Sequence, residues 1–81
     1  MVKNPDFKYE IKENIAILSK KGNTSKELNL ISYGDKPPVY DLRNWKVSAD
    51  GERTFMRGLT FNREEAETLI EALTRHAFLK E

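Results

Sequence analysis

The chain has 81 residues, 14 Lys and Arg against 13 Asp and Glu, one His and no cysteine. That length suits one domain, residues 1–81, which buries only about 60–65 % of the surface its unfolded form exposes, so it can fold alone and would gain from a core shared in a dimer. Without cysteine neither a disulfide framework nor a cysteine-based zinc site is available, and no apolar run reaches signal-peptide or membrane-span length, so a soluble, cytoplasmic protein is expected.

The elements read off in chain order. "FKYEI" alternates apolar and polar residues, as a half-buried strand does, and "NIAILSKK" continues it. Together they predict one long first strand, bent near Glu13 and Asn14. After the turn signal "KKGNTS", "KELNLISY" alternates again. "YGDKPP" follows, and its Pro37 and Pro38 donate no ladder hydrogen bond, so they belong just ahead of a strand or at an edge. "VYDLRNW" is the third strand. "SADGER", with Asp50-Gly51 at its tip, is a hairpin turn, and "RGLTF" is the fourth strand. Residues 7–61 are thus expected to form a four-stranded antiparallel sheet.

After Phe61 the period changes. Asn62 suits an N-cap, Glu65 stands at capping-box spacing, and Glu64 and Glu65 put negative charge at the positive end of the helix dipole. Ala66, Leu69, Ile70, Leu73 and Ala77 then recur at helical spacing, which predicts an amphipathic helix over 62–79 with one face for the sheet or for another copy of the chain. Phe78 falls outside that stripe, as a loose terminus or a partner contact. The fold class is therefore α+β, a sheet followed by one C-terminal helix. Charge divides at the same place: residues 1–61 hold 11 basic and 8 acidic side chains, residues 62–81 hold 3 and 5. Such polarisation is compatible with a polyanion binder and equally with an ordinary solvated surface.

Alternation also assigns faces. Leu28, Leu30, Leu59 and Phe61 should meet the helix. The opposite face then carries Asn29, Ile31 and Tyr33, then Asp41, Arg43 and Trp45, then Gly58 and Thr60, with Lys20, Lys21, Lys26, Lys36, Lys46 and Arg57 expected at its margins. Rings, a guanidinium, small residues and marginal cations suit single-stranded nucleic acid, whose bases stack on aromatic side chains while cations track the phosphates. Each feature has an ordinary explanation beside this one. A Trp at a strand end is commonly half-buried core, Lys-Lys before Gly is commonly a solvated turn, and Asp41 with Arg43 makes a simple ion pair.

Catalysis finds little support. His76 is alone near the end of the helix, where a cationic side chain favours the dipole. The paired carboxylates lie on the helix, and "GNTSK" lacks the spacing of a phosphate loop. No enzyme activity, cofactor or metal is expected.

In order and spacing, "KELNLISY", "YDLRNW", "RGLT" and the acid-opened helix "NREEAETLIEAL" resemble the transcriptional coactivator family of positive cofactor four, and more closely its small bacterial members of the YdbC type. The resemblance runs from Phe7 to Leu73. It implies a strongly curved sheet, a homodimer with Leu69, Ile70, Leu73 and Phe78 as dimer or core positions of the helix, and binding of single-stranded DNA, melted duplex and RNA with little sequence preference, in association with the nucleoid in a bacterium. By position it implies that Arg43, Trp45, Tyr33 and Arg57 contact nucleic acid, with Lys26 and the Lys20-Lys21 pair matching basic positions approximately. "GDKPP" and the acidic residues of the "SADGER" hairpin depart from the more basic eukaryotic pattern, and the Ser-rich regulatory region is absent. A protein-interaction module using Tyr33, Arg43 and Trp45 is the alternative, since Tyr, Trp and Arg are also the residues of interface hot spots.

Overall fold

A computed structural model describes residues 9–78. Phe7, Lys8 and Leu79, expected at the ends of the sheet and the helix, lie outside the described residues. Strands β1 (Tyr9–Lys21), β2 (Thr24–Tyr33), β3 (Val39–Val47) and β4 (Arg53–Phe61) form one antiparallel sheet in the order β1-β2-β3-β4, and helix α1 (Arg63–Ala77) follows. The expected sequence of elements is thus found. The fourth strand starts earlier than "RGLTF" suggests, at Arg53.

Turn chemistry sets the hairpins. Gly22 adopts φ +61° between Lys21 and its partner Thr24, the conformation that the first central position of a II′ hairpin requires. The two prolines precede β3, as their missing N–H groups demand. At the third turn Ser48 N donates to Glu52 O, while the Asp50 carboxylate accepts from Ser48 Oγ and from the Glu52 amide.

The bend expected near Glu13 is one of three irregularities in β1, at Ile11/Glu13, Asn14/Ala16 and Ile17/Ser19. Each extra residue bends the strand and increases its twist. The sheet consequently curls over its inner face. Tyr9 pairs with Tyr33 at one end of β2 and Trp45 pairs with Ser25 near the other, yet the Tyr9 and Trp45 ring centroids are only 5.9 Å apart.

Helix α1 opens with the expected capping box: Asn62 Oδ1 accepts from the Glu65 amide and Glu65 Oε1 from the Asn62 amide, both at 2.8 Å. Its apolar stripe does not make a core within the single chain. Leu69, Ile70 and Leu73 remain exposed, Ile70 to 63 %, and Phe78 at the C-cap to 80 %. Between the helix and the outer face of the sheet lies a cleft of about 350 Å³, lined by Ile15, Leu28, Leu42, Phe61, Leu69, Leu73 and further apolar side chains. The buried interior sits instead on the inner face, where Ile31 and Trp45 are joined by the polar side chains of Ser25, Glu27, Asn29 and Asp41.

Candidate functional site

The inner face is built from alternate residues of all four strands, and two ion-pair networks organise it. In the first, Arg43 clamps Asp41 in a bidentate pair, Nε to Oδ1 and Nη2 to Oδ2 both at 2.6 Å, while Nη1 donates to the Met56 carbonyl at 2.7 Å. Tyr33 Oη donates to the same carboxylate at 2.8 Å. Burial, reinforced by the hydrogen bond to Asp41 and by its charge, pushes the Tyr33 phenol up to about 12. The hydrogen bonds to Asp41 raise the Arg43 guanidinium further above its already basic range against the opposing effect of burial. The guanidinium carbon lies 3.8 Å from the centroid of the Phe55 ring, a cation–π contact.

Gly58 makes this arrangement possible. It pairs with Arg43 beside the irregularity of β4, and a Cβ added to it would stand 2.0 Å from Arg43 Cβ and 2.5 Å from Leu42 O. The absent side chain at Gly58 therefore serves a close approach between β3 and β4.

In the second network, Glu27 Oε2 accepts from Ser25 Oγ at 2.5 Å and Oε1 from Arg53 Nη2 at 2.7 Å, with Asn14 Nδ2 at a longer 3.4 Å. The Asn14 amide also donates to Asn29 Oδ1 at 2.6 Å. Burial opposes ionisation of Glu27, but the hydrogen bonds from Ser25 and Arg53 and the Arg53 charge outweigh it and hold the carboxyl below its usual value. Arg53 lies over the Trp45 ring, 4.6 Å from its centroid.

Aromatic side chains fill the space between these networks. Phe55 meets Trp45 edge-on at 5.2 Å, Tyr33 edge-on at 6.3 Å, and Tyr9 at 5.1 Å. Trp45, expected as an open platform for bases, is 0 % exposed: Tyr9, Phe55 and Arg53 cover it. Its role here is the ordinary one of a core residue. The rings that reach solvent are Tyr9, 36 % exposed, and the half-buried Tyr33 and Phe55. Trp45 Nε1 and Asn29 Nδ2 are buried with no hydrogen-bond acceptor among the described residues.

The cations expected around one face divide between two. Lys20 pairs with Ser25 and belongs to the inner face. Lys26 pairs with Ser19 and Asn44, and Lys21 and Lys46 both pair with Thr24, so alternation puts all three on the outer face beside Leu28. Arg57 joins Lys26, Leu42 and Asn44 around a shallow outer groove of about 200 Å³. Lys36 lies in the β2–β3 turn, donating its amide to Tyr33 O, remote from the other lysines. None of Lys20, Lys21, Lys26, Lys36, Lys46 and Arg57 forms an ion pair among the described residues. Arg43 and Arg53, by contrast, are neutralised by Asp41 and Glu27.

Tyr9, Arg53 and Phe55 are the site residues that sequence reasoning missed. Alternation in "FKYEI" already put Tyr9 on a face with Ile11. Arg53 ends the turn signal "SADGER", and Phe55 lies between it and "RGLTF", where alternation in β4 becomes clear. Among the described residues no cluster of His, Asp and Glu has the composition of a metal site, and no helix is long and apolar enough to cross a membrane.

No family profile matches the chain. It is similar to an uncharacterized protein of Treponema pallidum (strain Nichols), 40 % identical over 73 residues that cover 89 % of this chain and 82 % of the relative.

Proposed function

We propose that this chain, which belongs to one family with the Treponema pallidum protein, is a sequence-tolerant single-stranded nucleic-acid-binding protein, taking DNA and also RNA or melted duplex, and acting as a homodimer of the positive cofactor four type. The observation that carries the reading is an aromatic inner face with the unneutralised Lys20 at its hairpin end, backed by further unneutralised cations, Lys21, Lys26, Lys46 and Arg57, on the outer face. Tyr9, Tyr33 and Phe55 offer partly exposed rings on a concave surface. Base stacking on such rings contributes about 1–3 kcal/mol per base without regard to identity. Lys20, Lys21, Lys26, Lys46 and Arg57 carry charge that no carboxylate among the described residues answers, and phosphates supply the missing counter-charge. Trp45 acts in this scheme as the floor that props Phe55 and Tyr9.

The other face supports the dimer. Ile15, Leu18, Leu59, Leu69, Ile70 and Leu73 are large exposed apolar side chains gathered on the outer face and the helix, and such a patch marks an interaction surface. A second copy brings the same stripe and covers both in one symmetric contact. The inner face stays open to nucleic acid in that arrangement, so the aromatic cluster is not needed as a protein interface.

The test is a titration of a fluorescein-labelled oligo-dT of roughly 20 nucleotides, long enough for more than one site, followed by anisotropy at several salt concentrations. Nucleic-acid binding predicts an affinity falling as a power of salt with a slope near −0.7 per phosphate neutralised on a single strand. Absence of binding at low salt would remove the reading.

A further inference from the structure

One cavity of the inner face has a chemistry that stacking and charge do not use. The β1–β2 and β3–β4 hairpins stand side by side, joined by a hydrogen bond from Val47 N to Asn23 O at 2.8 Å. Against them lies an open cavity of about 650 Å³, a size typical of small-ligand sites. Ile17 and Val47 give it apolar walls, and Lys20 and Arg53 give it two cations. Glu27, with Ser25 beside it, is its one carboxylate among the described residues.

Glu27 is unusual at such a place. A carboxylate on a polyanion-binding surface repels phosphate, yet here it is almost fully buried and held by Ser25 and Arg53. An ionised carboxylate has about four lone-pair sites. Oε2 receives Ser25 and Oε1 receives Arg53 with the long Asn14 contact, while the nearby Asn29 amide makes no hydrogen bond of normal geometry among the described residues, so accepting capacity is left at the cavity. Removed from water, such an acceptor strongly favours an N–H donor over a carbonyl oxygen. The remaining N–H groups of Arg53, whose side chain is 41 % exposed, and the Lys20 ammonium are placed to hold a phosphate alongside.

We propose that this cavity seats one nucleotide of the bound strand, its phosphate against Lys20 and Arg53, its base between Ile17 and Val47, and the exocyclic amino group of the base donating a hydrogen bond to Glu27. The proposal rests on the nucleic-acid reading and adds to it a preference for amino-bearing bases over thymine and uracil. Cytosine and adenine present an N–H₂ donor where thymine presents a carbonyl oxygen. Glu27 is the specificity-determining residue of an otherwise sequence-tolerant surface.

The test compares three labelled oligonucleotides of equal length at mildly alkaline pH: oligo-dC, oligo-dT, and the oligomer of 2-pyrimidinone deoxynucleotide, which is cytosine without its amino group. The expected result with the unaltered protein is that oligo-dC binds roughly tenfold more tightly than the other two, the discrimination of one good base contact. Glu27→Gln, checked for folding by circular dichroism, should narrow or reverse the oligo-dC advantage while oligo-dT binding holds or improves. Equal binding of oligo-dC and the 2-pyrimidinone oligomer overturns the proposal while leaving the nucleic-acid reading intact, and this arm needs no variant. Failure of all three to bind removes both.

Discussion

Trp45 carries the most altered meaning of any residue. Its position on the Asp41–Arg43–Trp45 face is the one that alternation predicts, but the curl of the sheet brings Tyr9 and Phe55 across it and leaves it 0 % exposed. Trp45→Ala should therefore destabilise the fold by about 3–5 kcal/mol, as large-to-small changes of buried aromatics do, visible as a lower urea midpoint. The variant that reports on binding is Tyr9→Ala, which removes a partly exposed ring that also covers Trp45; it should lower the urea midpoint less than Trp45→Ala does, and without urea, where it is folded, it should lose about 1–3 kcal/mol in oligonucleotide affinity. At Gly58, a methyl group has no space beside Arg43 Cβ and the Leu42 carbonyl. Gly58→Ala should cost about 3 kcal/mol, the upper end of overpacking penalties, and chemical denaturation measures it directly. Two titrations follow from the networks. The Tyr33 phenol, raised from 10.0 to about 12, contributes stability that is complete below the unfolded value and is lost as pH rises through the folded one. Ultraviolet absorbance should thus show one tyrosinate forming only near pH 12 in the folded protein. Glu27 has the opposite sign: its lowered value contributes stability above the ordinary 4.5 that is lost as pH falls through the folded value. Between those limits the urea midpoint of Glu27→Gln should vary with pH less than that of the unaltered chain.

At the scale of elements, what was legible depended on whether the signal is local. The helix was legible to its caps, because a capping box and a stripe at helical spacing are written in neighbouring residues; Asn62→Ala should cost about 0.5–2 kcal/mol, read from the thermal midpoint. Strands β2 and β3 were legible with their faces, since strict alternation survives in both. Strand β4 was legible only from Arg57 on. The irregularity between Arg43 and Trp45 shifts its alternation by one residue, so Phe55 and Gly58 share the inner face although their numbers differ in parity. The lysines have a simpler cause, in strands whose alternation is unbroken. Lys26 and Lys46 have the parity of Leu28 and Leu42, and no rule of composition brings them to the Trp45 side. The neutralisation of Arg43 and Arg53 was half legible: Asp41 is two residues from Arg43 on one strand, whereas Glu27 reaches Arg53 from β2 to β4 across the curled face, a contact that only the tertiary fold creates.

At the scale of the whole molecule, the distribution of burial is inverted relative to composition. The inner face buries Glu27, Asn29 and Asp41 beside Trp45, while Leu69, Ile70 and Leu73 face an open apolar cleft. In the proposed homodimer a second copy would cover that cleft, and sedimentation equilibrium should then return twice the chain mass of 9.4 kDa. Leu73→Glu, which puts a charge into the exposed apolar cleft proposed as the dimer contact, should shift that mass toward the monomer. Single-strand binding by the aromatic inner face and the unneutralised cations of both faces is tested most directly by one measurement: anisotropy of labelled single-stranded and duplex oligonucleotides of the same sequence, titrated at low and high salt. The single strand should bind more tightly than the duplex and weaken steeply with salt. Binding that is absent at low salt, or indifferent to salt and to strandedness, would contradict that reading.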